Sequence, residues 1–257
     1  FVPPLNPWEE ALRRQHRGYD GSHISTLSYG PDLNLSHPGW SEAQGLDAAR
    51  KLNYYAPYIL PFSFSSPFFA GAPWAGWSKR SFERVRYRPA VKYYVAPGRV
   101  AALQAETRMA QPARIGREIG RIEFKAFDAI PSQALLRACC HLLVGICLDD
   151  ELPGRSEECD VSLYRRAALY GFEAEAIEGG AREVLAKAGR ALADHGQPRT
   201  LAPLEELLAR RRTPAHDLLG TFRMGGPLFR PGGLGAGHRP QPARRNRSRV
   251  ESHAPCP

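Results

Sequence analysis

Arg121-Ile-Glu-Phe-Lys-Ala-Phe-Asp128 decides how this chain is read. Side chains alternate along an extended backbone, so the stretch puts Arg121, Glu123 and Lys125 on one face and Ile122, Phe124 and Ala126 on the other. The apolar face predicts burial against a core. The other face carries a carboxylate between two cations, with each step of two residues spanning about 6 to 7 Å. This charge order suits a metal-bound phosphate: the carboxylate holds Mg²⁺, and the cations neutralise the oxygens of a polyphosphate or an acyl phosphate. The same pattern also describes an amphipathic strand whose solvated charges form weak cross-strand ion pairs. On these residues alone both readings are open.

Working outward, Pro131-Ser132 opens a helix through about Leu148, with Leu135, Leu136, Cys139, Leu142, Leu143, Ile146 and Cys147 at the helical period. Upstream, Ser22 to Tyr29 reads as a strand closed by the turn residues Gly30-Pro31-Asp32. Ser41 is expected to cap a helix through about Tyr55, because Pro57 and Pro61 make continuation costly. The Phe-, Ser-, Pro- and Gly-rich segment from Phe62 to Trp77 is expected to be an irregular, buried loop whose polar atoms need partners. Further helices are expected around Leu163 to Tyr170, Ala181 to His195 and Ala202 to Arg212, with Thr213-Pro214 opening a last short one. From Met224 onward Gly, Pro and Arg dominate and no apolar period survives, which predicts disorder; no internal repeat is evident.

The 257 residues suffice for one good-sized core without disulfides or metals to hold it. Of the formal charge of +9, the segment Arg230 to Pro257 supplies +5, so a pI argument for nucleic-acid binding is weak. Arg80, Arg84, Arg86, Arg88 and Lys92 are interleaved with Phe82, Tyr87, Tyr93 and Tyr94. Such a cluster serves a solvated surface, a polyanionic nucleotide or single-stranded nucleic acid. The five cysteines, Cys139, Cys140, Cys147, Cys159 and Cys256, show no zinc-ligand spacing and read as reduced thiols of a cytoplasmic protein. The apolar stretch from Tyr54 to Trp77 is broken by four prolines, so no membrane span is expected.

Taken together, His23, Phe64-Ser-Ser-Pro-Phe68, Ser78-Lys-Arg80 and Ile122-Glu-Phe-Lys-Ala-Phe-Asp128 followed by Pro131 resemble the bacterial and plant-type branch of the glutamate-cysteine ligase family, which includes the carboxylate-amine ligases. The resemblance spans roughly His23 to Phe172. It implies an α+β fold related to glutamine synthetase, a curved antiparallel sheet with helices packed on one side. It also implies ATP- and Mg²⁺-dependent amide formation, in which a glutamate-type carboxylate is phosphorylated and the acyl phosphate is attacked by an amine such as that of cysteine. On that reading Glu123 and His23 are metal ligands. Lys125 and Arg80 are the catalytic cations that contact phosphate or substrate, and Arg121, Ser65 and Ser66 serve the nucleotide.

Three departures accompany the match. Lys125 stands where the family has arginine, Ser65 where asparagine is usual, and no strand with paired glutamates precedes His23. Residues 1–229 are therefore expected to be a ligase domain incomplete at its amino terminus, and residues 230–257 a basic tail. The alternative is a degenerate, non-catalytic relative that binds a nucleotide or an acidic ligand. Small molecules are the expected partners, without specific nucleic acid or membrane.

Overall fold

In the computed structural model, residues 30–84, 90–104, 107–196 and 201–226 are described. The expected strand at Ser22 to Tyr29, Arg86 and Arg88 of the basic cluster, Cys256 and the basic tail lie outside them. The strands are β1 (Leu33–Leu35), β2 (Phe68–Phe69), β3 (Ala72–Pro73), β4 (Val91–Val95), β5 (Ala110–Pro112) and β6 (Ile122–Phe124). The helices are α1 (Glu42–Ile59), α2 (Lys79–Arg84), α3 (Val100–Gln104), α4 (Gln133–Leu148), α5 (Val161–Tyr170), α6 (Glu175–Asp194), α7 (Ala202–Ala209) and α8 (Pro214–Arg223).

Four strands form one sheet in the order β1-β6-β4-β5. Strand β6 pairs antiparallel with β1 and with β4, while β5 runs parallel to β4. The register sets Glu123 opposite Asn34 on one side and Lys92 on the other. Period-two alternation then turns Ile122 and Phe124, with Val91 and Tyr93 beside them, toward the core. Helix α1 packs on this side, and α4 and α6 lie behind it as the most extensive helix pair. The structure is thus mixed α+β with a small, mostly antiparallel sheet, and its apolar face is covered by helix as the 121–128 pattern requires.

Local chemistry accounts for several helix starts, although α6 begins at Glu175, six residues before the expected Ala181, without a side-chain cap. Ser41 caps α1 in a reciprocal box with Gln44, and Ser132 caps α4 by accepting from the Leu135 N–H at 3.1 Å. Helix α1 nevertheless runs past the expected stop at Tyr55, enclosing Pro57 and continuing into a 3₁₀ turn at Leu60–Ser63. Pro57 stands in the last turn, where a missing N–H forfeits one bond, and burial of Ala56, Ile59 and Leu60 on the core side outweighs that loss.

The segment expected to be irregular contains a short hairpin. Strands β2 and β3 pair around Ala70-Gly71, both with positive φ, 50° and 80°. A two-residue loop with both centres left-handed matches the strand twist, a geometry that glycine adopts freely and alanine only at a cost. At Gly30 the constraint is close approach, since a Cβ there would lie 2.0 Å from the Phe127 carbonyl oxygen. The turn after the expected first strand therefore seats directly against the end of β6.

Cys139, Cys140 and Cys147 lie in α4, and the four described cysteines are free thiols. Among the described residues, no helix is long and apolar enough to cross a membrane.

Candidate functional site on the polar face of the sheet

Glu123, Lys92 and Tyr94 project from the sheet face opposite the helices, together with Arg121 and Lys125 at the two ends of β6. This face is not a solvated one: Glu123 is only 5 % exposed, and Tyr94 is buried as well. The Glu123 carboxylate lies 3.0 Å from the Lys125 ammonium and 3.4 Å from the Arg121 guanidinium, and accepts from the Tyr94 hydroxyl at 3.1 Å. Burial, followed by the charge of Glu123, pushes the Tyr94 phenol above its ordinary value and keeps it a donor.

Both cations have further partners. Lys125 also meets Asp32 at 2.9 Å, and Arg121 meets Glu118 at 3.2 Å and Asn34 Oδ1 at 3.0 Å while lying over the Tyr94 ring at 4.1 Å. Burial pulls Lys125 down, but its close pairing with the carboxylates of Asp32 and Glu123 outweighs it, so its ammonium is held above the ordinary lysine value.

Two polar atoms of this face, Glu123 Oε1 and Arg121 Nε, are buried without a hydrogen-bond partner among the described residues. Glu123 Oε1 is nevertheless paired by charge with the Lys125 ammonium at 3.0 Å. Arg121 Nε, a buried donor, is the atom of this face left with capacity for a further acceptor.

Arg80, Ser65 and Ser66 belong to a neighbouring and different constellation, centred on Asp128. Asp128 is 0 % exposed. Its carboxylate accepts from the Ser65 N–H at 3.0 Å, the Ser66 hydroxyl at 2.5 Å and the Arg80 guanidinium at 3.3 Å, while its own N–H donates to Ser63 Oγ at 3.1 Å. Arg80 also donates to the carbonyls of Lys125, Ala126 and Phe127 at 3.3, 3.0 and 2.8 Å, which ties the chain just past β6 to α2. The serine-rich loop thus finds the partners its burial demands, and it finds them in the fold.

The residues expected to act together therefore divide into two groups. Arg121, Glu123 and Lys125 meet on the polar face, whereas Arg80, Ser65 and Ser66 gather around Asp128 at the end of the same strand. His23 lies outside the described residues. Tyr94, Asp32 and Asn34 are site residues that the sequence reading missed. Alternation in Val91–Val95 groups Lys92 with Tyr94, but only the register with β6 brings that pair to Glu123.

A magnesium ion requires several oxygen ligands at short distance. Glu123 supplies one carboxylate already flanked by two cations, and no group of three His, Cys, Asp or Glu residues that could hold a metal ion is present among the described residues. These residues by themselves do not fit the ion. The chain matches no protein-family model and no curated protein.

Proposed function

We propose that this chain carries the polar sheet face of an ATP-dependent carboxylate-amine ligase, in which Arg121 and Lys125 receive the anionic groups of the nucleotide and of the activated carboxylate. The observation that supports the reading is the caged Glu123, a buried carboxylate held between two cations on the face that the helices leave free, with Arg121 Nε unspent. In such a reaction the charge to be stabilised lies on phosphoryl oxygens, and preorganised cations in a water-poor setting are the groups that stabilise it. Lys125 would act as a point charge and Arg121 as a planar fork held in place by the Tyr94 ring. Glu123 would keep both cations oriented until anionic groups arrive.

A second reading is favoured by the same geometry. Glu123 is already neutralised on both sides, as expected of a protein that binds a nucleotide or an acidic ligand without turning it over. The two separate in one assay, with ATP, glutamate and cysteine supplied to the full protein and both phosphate release and amide product followed. Ligase activity predicts phosphate release that requires both amino acids, is lost in Glu123→Gln and is kept in Lys125→Arg. Saturable ATP binding without product selects the second reading, and absence of both effects removes the two together.

A further inference from the structure

Helix α1 carries a second polar stripe. Gln44, Asp47, Ala48 and Lys51 follow the three- and four-residue spacing that places side chains on one face of a helix. They line a cavity of about 360 Å³ that is closed on its far side by Cys147, Asp150 and Arg155 at and beyond the end of α4. Lys51 is only 3 % exposed, and its ammonium donates to the Asp149 carbonyl at the α4 C-terminus. An ammonium has three donors. No carboxylate among the described residues lies within ion-pair distance of this one, since Asp47 is turned to Arg155 at 2.6 Å. A buried cation with one main-chain partner is costly unless an anion completes it.

Capping the carboxyl end of α4 accounts for one of the three donors and for neither of the others. Asp150 and the half-exposed Asp47 give the cavity a negative side as well. A second cavity of about 300 Å³ adjoins the first, sharing Trp40 and Cys147, with Leu35, Val144 and Leu148 as apolar walls and Asn34, Ser36 and His37 as polar ones. The shared boundary is formed by Trp40 and Cys147, both partly buried.

We propose that these two cavities form a binding site for a free amino acid with an apolar side chain. Its carboxylate pairs with Lys51, its ammonium lies at Asp47 and Asp150, and its side chain passes Trp40 onto Leu35, Val144 and Leu148 of the adjoining cavity. Small-ligand sites combine an apolar body with a few convergent polar groups, and a zwitterion satisfies both signs of this one. Arg155 donates to Asp47 and to the Leu152 and Gly154 carbonyls, so it orients the acidic side and leaves the ligand carboxylate to Lys51. The site borders the sheet at β1, through Asn34 and Leu35, and does not depend on ligase chemistry.

The test is calorimetric titration of the intact protein with L-leucine, N-acetyl-L-leucine and L-leucinamide, in the absence of ATP. Leucine is expected to bind saturably, and each blocked form, lacking one charge, at least about 10-fold more weakly. Lys51→Met, which keeps the chain length and removes the charge, is expected to weaken leucine by at least about 10-fold, and Asp150→Asn by about 3-fold or more. Should Lys51→Met fail to fold, Asp150→Asn and the two blocked ligands decide the matter. The proposal is overturned if leucine shows no saturable binding, if a blocked form binds as well as leucine, or if Lys51→Met retains wild-type affinity.

Discussion

Replacing Glu123 by glutamine should destabilise the protein before any effect on chemistry is considered, and the size of the loss can be worked from the geometry. At 3.0 Å the gross attraction to Lys125 is about 5 kcal/mol for an effective dielectric constant of about 20, but most of it cancels against the cost of removing both charges from water. What counts on mutation is the uncompensated remainder. Breaking a fully buried pair from one side costs about 3–5 kcal/mol. Here the Glu123 side chain is 7 % exposed, while those of Arg121 and Lys125 are 18 % and 26 % exposed. Water reaches the cations and reduces the penalty, so about 2–3 kcal/mol is expected for Glu123→Gln, a fall in Tm of about 4–12 °C.

Lys125→Met leaves Glu123 with Arg121 and Tyr94 and frees the half-exposed Asp32, and should cost about 1–2 kcal/mol. The double variant should cost less than the sum of the single ones by about 1 kcal/mol, measured by urea unfolding with m unchanged. Additivity within about 0.3 kcal/mol would refute the claim that the two side chains act as one network. The pH dependence carries a definite sign. With its folded value held above the unfolded one, the Lys125 contribution is complete below about pH 10 and is lost as pH rises through the folded value.

Three further outcomes are expected. Asp128→Ala removes the acceptor of Ser65, Ser66 and Arg80 in a fully buried position, and should lower stability by about 3–5 kcal/mol in denaturant titration, while a loss below about 1 kcal/mol would show the hub to be dispensable. His216 accepts the Thr213 N–H at 3.0 Å through Nδ1 and stacks on Trp77, and burial, which outweighs the raising effect of backbone hydrogen bonding at Thr213, holds it below its ordinary value. That part of the stability is complete above about pH 6.5 and falls as pH drops toward the folded value, so His216→Gln, which can keep the capping box, should flatten the acid limb of the Tm profile. Ala70→Gly relieves the positive φ of the hairpin and should change stability by no more than about 1 kcal/mol in the favourable direction, read as a rise in the urea midpoint.

Much of the fold was legible because each cue was local. Ser132 and the apolar period after it define α4 almost to the residue, and alternation in Arg121 to Ala126 separates the core face from the polar face. Pro57 misled because its cost was weighed without the burial of the residues around it. The Ala70-Gly71 hairpin was missed because alanine is a poor signal for a left-handed turn. At the site, the charge order of Arg121, Glu123 and Lys125 was readable, whereas Tyr94, Asp32 and Asn34 were not, because pairing register joins residues far apart in the chain.

The sequence by itself determined where α1 and α4 are capped, which face of β6 is apolar, and that its other face carries two cations around one carboxylate, since capping and periodicity act over a few residues. Only the tertiary structure decided what those groups meet. It buried Glu123 instead of leaving it in water, drew Arg80 and the loop serines to Asp128, and enclosed Lys51 beside a cavity. Burial and partner choice depend on which distant strands and helices come into contact, and they fix whether a charge is solvated, neutralised or left to bind something else.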